Sequence, residues 1–234
     1  MASVSRWRLR LAEALLDLHG PAFVGQLNRA TRRIILRVAC LKVLHTCGAE
    51  SSGCFHELRS LPEPYGAFQA LCDQMRVRYN AAFFSLQGIE ELRGEPRAFR
   101  GLLDAFASER PSAMGLDALG DLYEETLGTL IEVDPDTQRC SLRSNQGHLK
   151  ASGIYYTPRP VVDWMVARTM GPLVHGKAPP TLRSLRIIDP SCGAGRFVLS
   201  VYRYLLAFYL DWYRAQPASL CGDDVVKTKE GRVA

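Results

Sequence analysis

From the N-terminus to about residue 145, apolar side chains recur at three- and four-residue intervals. That period places them along one face of a helix. Leu9, Leu11, Leu15, Leu16 and Leu18 fall in a segment predicted to be helical over Arg6–Leu18. Further helices are predicted over Ala22–Leu44, Tyr65–Tyr79 and Leu116–Ile131, with a shorter one over Ala98–Ser108. Breakers separate them: Gly20-Pro21, the loop at 48–53, Pro62-Glu63-Pro64, Gly94-Glu95-Pro96 and Pro111. No internal repeat or low-complexity tract interrupts the series. The polar run "DPDTQRCSLRSNQG", Asp134 to Gly147, reads as a linker or a hairpin. Residues 1–145 are therefore expected to form a helical N-terminal domain.

The pattern changes in residues 146–234. "SGIYYTPRPVVDWMVARTMGPLV" begins as an exposed turn and becomes a helix with Val162, Met165, Val166 and Met170 on one side. A Pro-rich link leads to "LRIIDPSCGAGRF", whose first residues, Leu185–Ile188, are predicted to be a short buried strand. Pro190 biases Asp189 toward an extended conformation and cannot extend a ladder. Gly193 and Gly195 permit a tight loop. The helix that follows, "GRFVLSVYRYLLAFYLDWYRA", is apolar on several sides, as expected of a helix packed on a sheet. Its aromatic residues read as packing.

Composition narrows the class only a little. The chain has 234 residues, 47% of them hydrophobic and 23% charged, as in ordinary globular proteins. No segment reaches the apolar length of a membrane span. The Arg-rich start is read as the first helix rather than a presequence. Seven scattered cysteines without a signal peptide point away from a disulfide framework and toward the reducing cytoplasm. His45, Cys47, Cys54 and His56 surround a Gly/Ser loop, but their spacing matches neither a zinc finger nor a ribbon, and no metal is expected. The net charge of +5 is compatible with nucleic acid. Arg29, Arg33 and Arg37 stand at helical spacing, either as a solvated face or as a phosphate-contacting stripe.

A strand, a glycine loop and a helix serve three kinds of cofactor. A P-loop requires Gly-x-x-x-x-Gly-Lys-[Ser/Thr], and no such lysine is present. A dinucleotide site prefers Gly-x-Gly-x-x-Gly, whose last position is Val198 here. S-adenosylmethionine (SAM) carries an ammonium and a carboxylate in place of a pyrophosphate. An acidic residue at a strand end suits the ammonium, and free N–H groups at a helix start suit the carboxylate. Asp189 and the Gly193–Gly195 loop meet that description, although a bare Gly-x-Gly is a weak signal.

Read with its upstream partner, the loop becomes specific. "SGIYYTPRPVVDWMV" followed by "RIIDPSCGAGRFVLSVYRYL" resembles the gamma-class adenine-N6 DNA methyltransferases, in which a Tyr-Thr-Pro-Pro-like motif precedes Asp-Pro-[Ala/Ser]-Cys-Gly-[Ser/Ala]-Gly. The chain is more closely similar to the fused methyltransferases of type IIG restriction–modification and phage-defence systems. "LGDLYEETLG" (Leu119–Gly128) and "RYNAAFFS" (Arg78–Ser85) look like pieces of their helical segment.

The resemblance implies a mostly α N-terminal domain followed by the beginning of an α/β Rossmann-like, SAM-dependent methyltransferase domain. It implies that Tyr155, Tyr156, Thr157 and Pro158 shape the methionine end of the pocket, with Thr157 bonding the cofactor. Asp189 would face the ammonium, and Pro190, Ser191, Cys192, Gly193, Ala194 and Gly195 would form the wall. Arg159 replaces the second proline of the first motif, with Pro160 displaced by one.

The family's catalytic Asn/Asp-Pro-Pro-aromatic motif is absent from residues 1–234, as is an acidic strand end for the SAM ribose. Asp223 and Asp224 lie in a loop-like stretch. The expectation is the N-terminal portion of an adenine-specific DNA methyltransferase, inactive alone, whose fold a second chain or a downstream segment completes. The alternative is a non-catalytic helical module that binds DNA or a partner subunit.

Overall fold

The computed structural model describes residues 2–50, 53–85, 96–108, 116–151 and 157–215. The chain divides into two compact units, Met1–Tyr155 and Tyr156–Ala234.

The first unit contains helices α1 (Ala2–His19), α2 (Val24–Thr46), α3 (Gly53–Ser60), α4 (Pro64–Arg78), α5 (Pro96–Ser108) and α6 (Leu116–Leu127). A hairpin of β1 (Thr129–Val133) and β2 (Cys140–Ser144) and the short helix α7 (Gln146–Ala151) follow. Helix α2 is the axis. Leu27, Ala30, Ile34, Ile35, Val38, Ala39 and Val43 are all buried, and α1, α3, α5, α6 and β1 pack around it. A helix covered on nearly all sides is a core element rather than a surface one. Tyr65 and Phe68 of α4 meet Phe99 of α5 with ring centroids 5.2 and 5.1 Å away, adding an aromatic cluster to this core.

Two predicted boundaries are corrected. The helix expected over Leu116–Ile131 stops at Leu127, and Thr129–Ile131 belong to β1. Gly128 ends the helix, its N–H bonding to the Glu124 carbonyl, and the alternation of Thr129, Ile131 and Val133 then suits a half-buried strand. Ile131 stands opposite Leu142 in the antiparallel pairing. No helix is predicted between the 48–53 loop and Pro62, yet α3 lies there, because Phe55 and Leu58 are three residues apart and both enter the core.

A buried cation holds the joint between α6 and β1. Arg8 is 1% exposed. Its Nη1 donates to the carbonyl oxygens of Thr126 (3.1 Å) and Thr129 (2.9 Å) and to Thr129 Oγ1 (2.6 Å). Its Nη2 donates to Asn28 Oδ1 at 2.8 Å. Burial, with Arg32 nearby, lowers its pKa to about 10 against the pull of Glu125, so it stays charged at neutral pH. Asn28 also accepts from the Ile131 N–H (2.8 Å) and donates to the Ile131 carbonyl (2.9 Å), as a neighbouring strand would.

Arg37 acts similarly. It is 3% exposed and donates to the carbonyls of Phe83 (3.1 Å) and Ser85, with its guanidinium 6.0 Å from the Phe83 ring. Neither reading of the Arg29–Arg33–Arg37 stripe, solvated face or phosphate contact, therefore holds at Arg37. Arg29 is exposed and Arg33 half-buried, but the third member, Arg37, points into the protein.

The second unit contains α8 (Arg159–Val174), a 3-10 turn at Pro179–Leu182 and α9 (Arg196–Ala215). Val162, Val166, Met170 and Val174 of α8 are buried with Leu182, and Phe197, Val201, Tyr204 and Leu205 pack against them. Met165, expected on this face, is instead largely exposed.

The predicted buried strand at Leu185–Ile188 is corrected. Residues 185–189 run without turn or bend but pair with no strand among the described residues. Ile187 is 44% and Ile188 86% exposed. An extended segment becomes a strand only when a neighbour takes its hydrogen bonds. Among the described residues the one sheet is the β1–β2 hairpin, and no Rossmann-like parallel sheet is formed. No described helix is long and apolar enough to cross a membrane.

We expect Arg8→Ala to destabilise the chain by about 2–4 kcal/mol in urea unfolding, because it removes the side-chain donor to the Thr129 carbonyl and leaves the Thr126 carbonyl to Arg32 alone. Arg8→Lys should recover only part, since an ammonium cannot reach the same fork of acceptors. A loss under about 0.5 kcal/mol for Arg8→Ala would show that the clamp is dispensable.

Candidate cofactor site

The loop between residue 189 and α9 is built from local backbone chemistry. Asp189 Oδ1 accepts the N–H of Ser191 at 3.0 Å, which turns the chain back just after Pro190. The Gly195 N–H donates to the Cys192 carbonyl at 2.8 Å, closing a second turn. Gly193 and Gly195 have φ of 53° and 80°, a region that costs side-chain-bearing residues energy. A Cβ at Gly195 would meet only Cys192 Sγ at 3.9 Å, and one at Gly193 only the Ser191 carbonyl at 3.9 Å. The glycines are required by backbone conformation, then, and not by close packing within this chain.

The Gly195 carbonyl accepts the Leu199 N–H at 2.8 Å and so begins the ladder of α9. The first-turn N–H groups of a helix have no carbonyl four residues back within it. Asp189 and Pro190 also border a groove of about 490 Å³, lined mainly by apolar residues of α8, 185–188 and α9.

Of the residues predicted for the first motif, Thr157 and Pro158 lie just before α8. Tyr155 and Tyr156 lie outside the described residues. Thr157 is half-buried, and the Pro158 carbonyl accepts the N–H groups of Val161 (2.9 Å) and Val162 (3.1 Å), which starts the helix. Pro160 fits there because a first-turn N–H has no helical acceptor to lose. Ser191, Cys192 and Gly193 are exposed, while Asp189, Ala194 and Gly195 are half-buried.

A polar tie missed by the sequence reading sets the two motifs side by side. Ser200 Oγ donates to Asp163 Oδ1 at 2.7 Å, and Arg159 Nε lies 3.5 Å from Asp163 Oδ2. Asp163 and Ser200 each stand one turn inside their helices. Farther along, a Cβ at Gly171 would lie 3.5 Å from Tyr204 Oη. These two contacts run in the same order, so α8 and α9 point the same way. Their N-termini, with Pro158 and Gly195, lie at one end. The available signal was Asp163 beside the buried stripe of α8, an acid that needs a partner when half covered.

No protein-family model matches the chain, and no solved structure matches it. Among curated proteins it is similar to the type II restriction enzyme and methyltransferase RM.Eco57I of Escherichia coli, with 21% identity over 221 residues. The match covers 91% of this chain and 22% of that relative, so the chain spans about a fifth of the relative's length. The likeness is a distant one to a restriction–modification methyltransferase.

If the left-handed loop positions matter as described, Gly195→Val should lower stability by about 1–2 kcal/mol, and Gly195→Asn by clearly less. Urea unfolding of both variants measures this. Equal effects would mean that the positive φ is not a constraint.

Proposed function

We propose that the chain is the N-terminal part of a SAM-dependent DNA methyltransferase acting on the exocyclic amine of adenine, of the restriction–modification kind. The observation that carries this reading is the arrangement at one end of α8 and α9. An acidic residue, a left-handed glycine loop and two helix N-termini meet there, in the order that the two sequence motifs require. The distant likeness to a restriction–modification methyltransferase over nearly the whole chain supports it.

The donor set suits the cofactor's methionine end. The Asp189 carboxylate has the charge to hold an ammonium, and an ionised acceptor makes its strong hydrogen bonds there. N–H groups at the start of α9 suit a carboxylate. Thr157 supplies a hydroxyl at the start of α8, and Tyr155 and Tyr156 precede it in sequence. When bound, SAM supplies a methyl group made electrophilic by its sulfonium. The chain's own residues orient that group. They do not include the Asn/Asp-Pro-Pro-aromatic motif that would receive the adenine amine once the base is flipped out. On this reading residues 1–234 hold cofactor without completing the transfer, and DNA and the cytoplasm are the expected partner and place.

Titration calorimetry tests the reading. We expect SAM to bind, NAD not to bind, and Asp189→Asn to weaken SAM at least about tenfold, the scale of one lost charge-assisted hydrogen bond. NAD binding without SAM binding, or no heat with SAM, would overturn it.

A further inference from the structure

The packing of α8 on α9 is periodic on both sides. Val162, Val166, Met170 and Val174 are buried four residues apart, and Phe197, Val201, Leu205 and Tyr209 pack against them at the same interval. Apolar attraction has no direction. Two stripes with one repeat therefore mesh again, one layer short, after either helix slides a single turn of about 5.4 Å past the other. Something else must select the register.

One polar contact does so. Among the described residues of this unit, Ser200 is the one buried polar residue. Its hydroxyl donates to Asp163 Oδ1 at 2.7 Å, the short range of a bond to an ionised acceptor. Slid by one turn either way, Ser200 would face Arg159 or Ala167 in place of Asp163, and neither side chain can accept its proton.

The contact also stands at matched depth. Asp163 is four residues past Arg159, the first of α8, and Ser200 is four past Arg196, the first of α9. In this register the two helix starts are level, with Thr157 just before one and the 189–195 loop just before the other. A slip of one turn would part them by about 5.4 Å, nearly twice the length of a hydrogen bond.

We propose that Asp163 and Ser200 are positioning residues for the cofactor. They do not touch it. Their bond fixes α8 against α9 in the register where one methionine tail reaches both Thr157 and the glycine loop. The inference rests on the SAM reading and adds to it two residues that lie outside the predicted pocket.

Titration calorimetry of the whole chain with SAM tests it through a double-mutant cycle. Thr157→Val alone should weaken SAM about tenfold, and so should Ser200→Ala alone. Together they should cost no more than about twofold beyond either single change, because a threonine held out of register has no bond left to lose. Asp163→Asn keeps an acceptor oxygen for the Ser200 hydroxyl and should stay within about threefold of the unaltered chain. Asp163→Ala removes that oxygen and should match Ser200→Ala. The Asp163 side chain is half exposed, so this variant tests the bond even where Ser200→Ala fails to fold. Independent effects that multiply to about a hundredfold would mark a merely structural pair and overturn the proposal. Undiminished affinity in Thr157→Val, Ser200→Ala or Asp163→Ala would also overturn it, as would equal losses in Asp163→Asn and Asp163→Ala. Those outcomes leave the cofactor reading standing. No heat with SAM in the unaltered chain would sink that reading, and this inference with it.

Discussion

A backbone N–H or C=O that leaves water must find a partner, and this requirement organises the molecule more than any single apolar contact does. In the first unit, side chains meet it. Arg8 answers the carbonyls of Thr126 and Thr129, where a helix becomes a strand and neither ladder can serve them. Asn28 stands in for a neighbouring strand at Ile131, and Arg37 answers Phe83 and Ser85 where α4 has ended. Each unanswered group would cost about 1–3 kcal/mol, against a whole-domain stability of about 5–15 kcal/mol. Losing two or three would decide whether the unit folds.

Two stretches of the helical unit end at joints that these arginines grip. "LGDLYEETLG" ends at the joint held by Arg8 and Arg32, and "RYNAAFFS" ends at the carbonyls held by Arg37. In the second unit, Arg186–Ile188 have no backbone partner among the described residues and stay exposed to water instead.

Helix periodicity was legible wherever one face is buried, as in α1, α4 and α5. The limits of the reading follow from what period alone omits. Val133 and Ile131 extend an apolar pattern that a helix template also fits, and only Gly128 marks the change to a strand. Arg37 has the spacing of a surface stripe, yet the residues that bury it come from more than forty positions away. Ile187 and Ile188 are apolar enough for a buried strand, but burial depends on neighbours that the sequence of the segment does not contain. The glycine loop was legible because its constraint is local: positive φ at Gly193 and Gly195, and Asp189 turning back to Ser191.

The central claim is that the end of the second unit, where α8 and α9 both begin, is a SAM cradle. Ultraviolet crosslinking of methyl-labelled SAM to the chain, followed by peptide mapping, tests it most directly. The account expects the label on peptides containing Thr157 or residues 189–195, with unlabelled SAM competing it away. Label confined to the helical unit, or label that excess SAM does not displace, would contradict it.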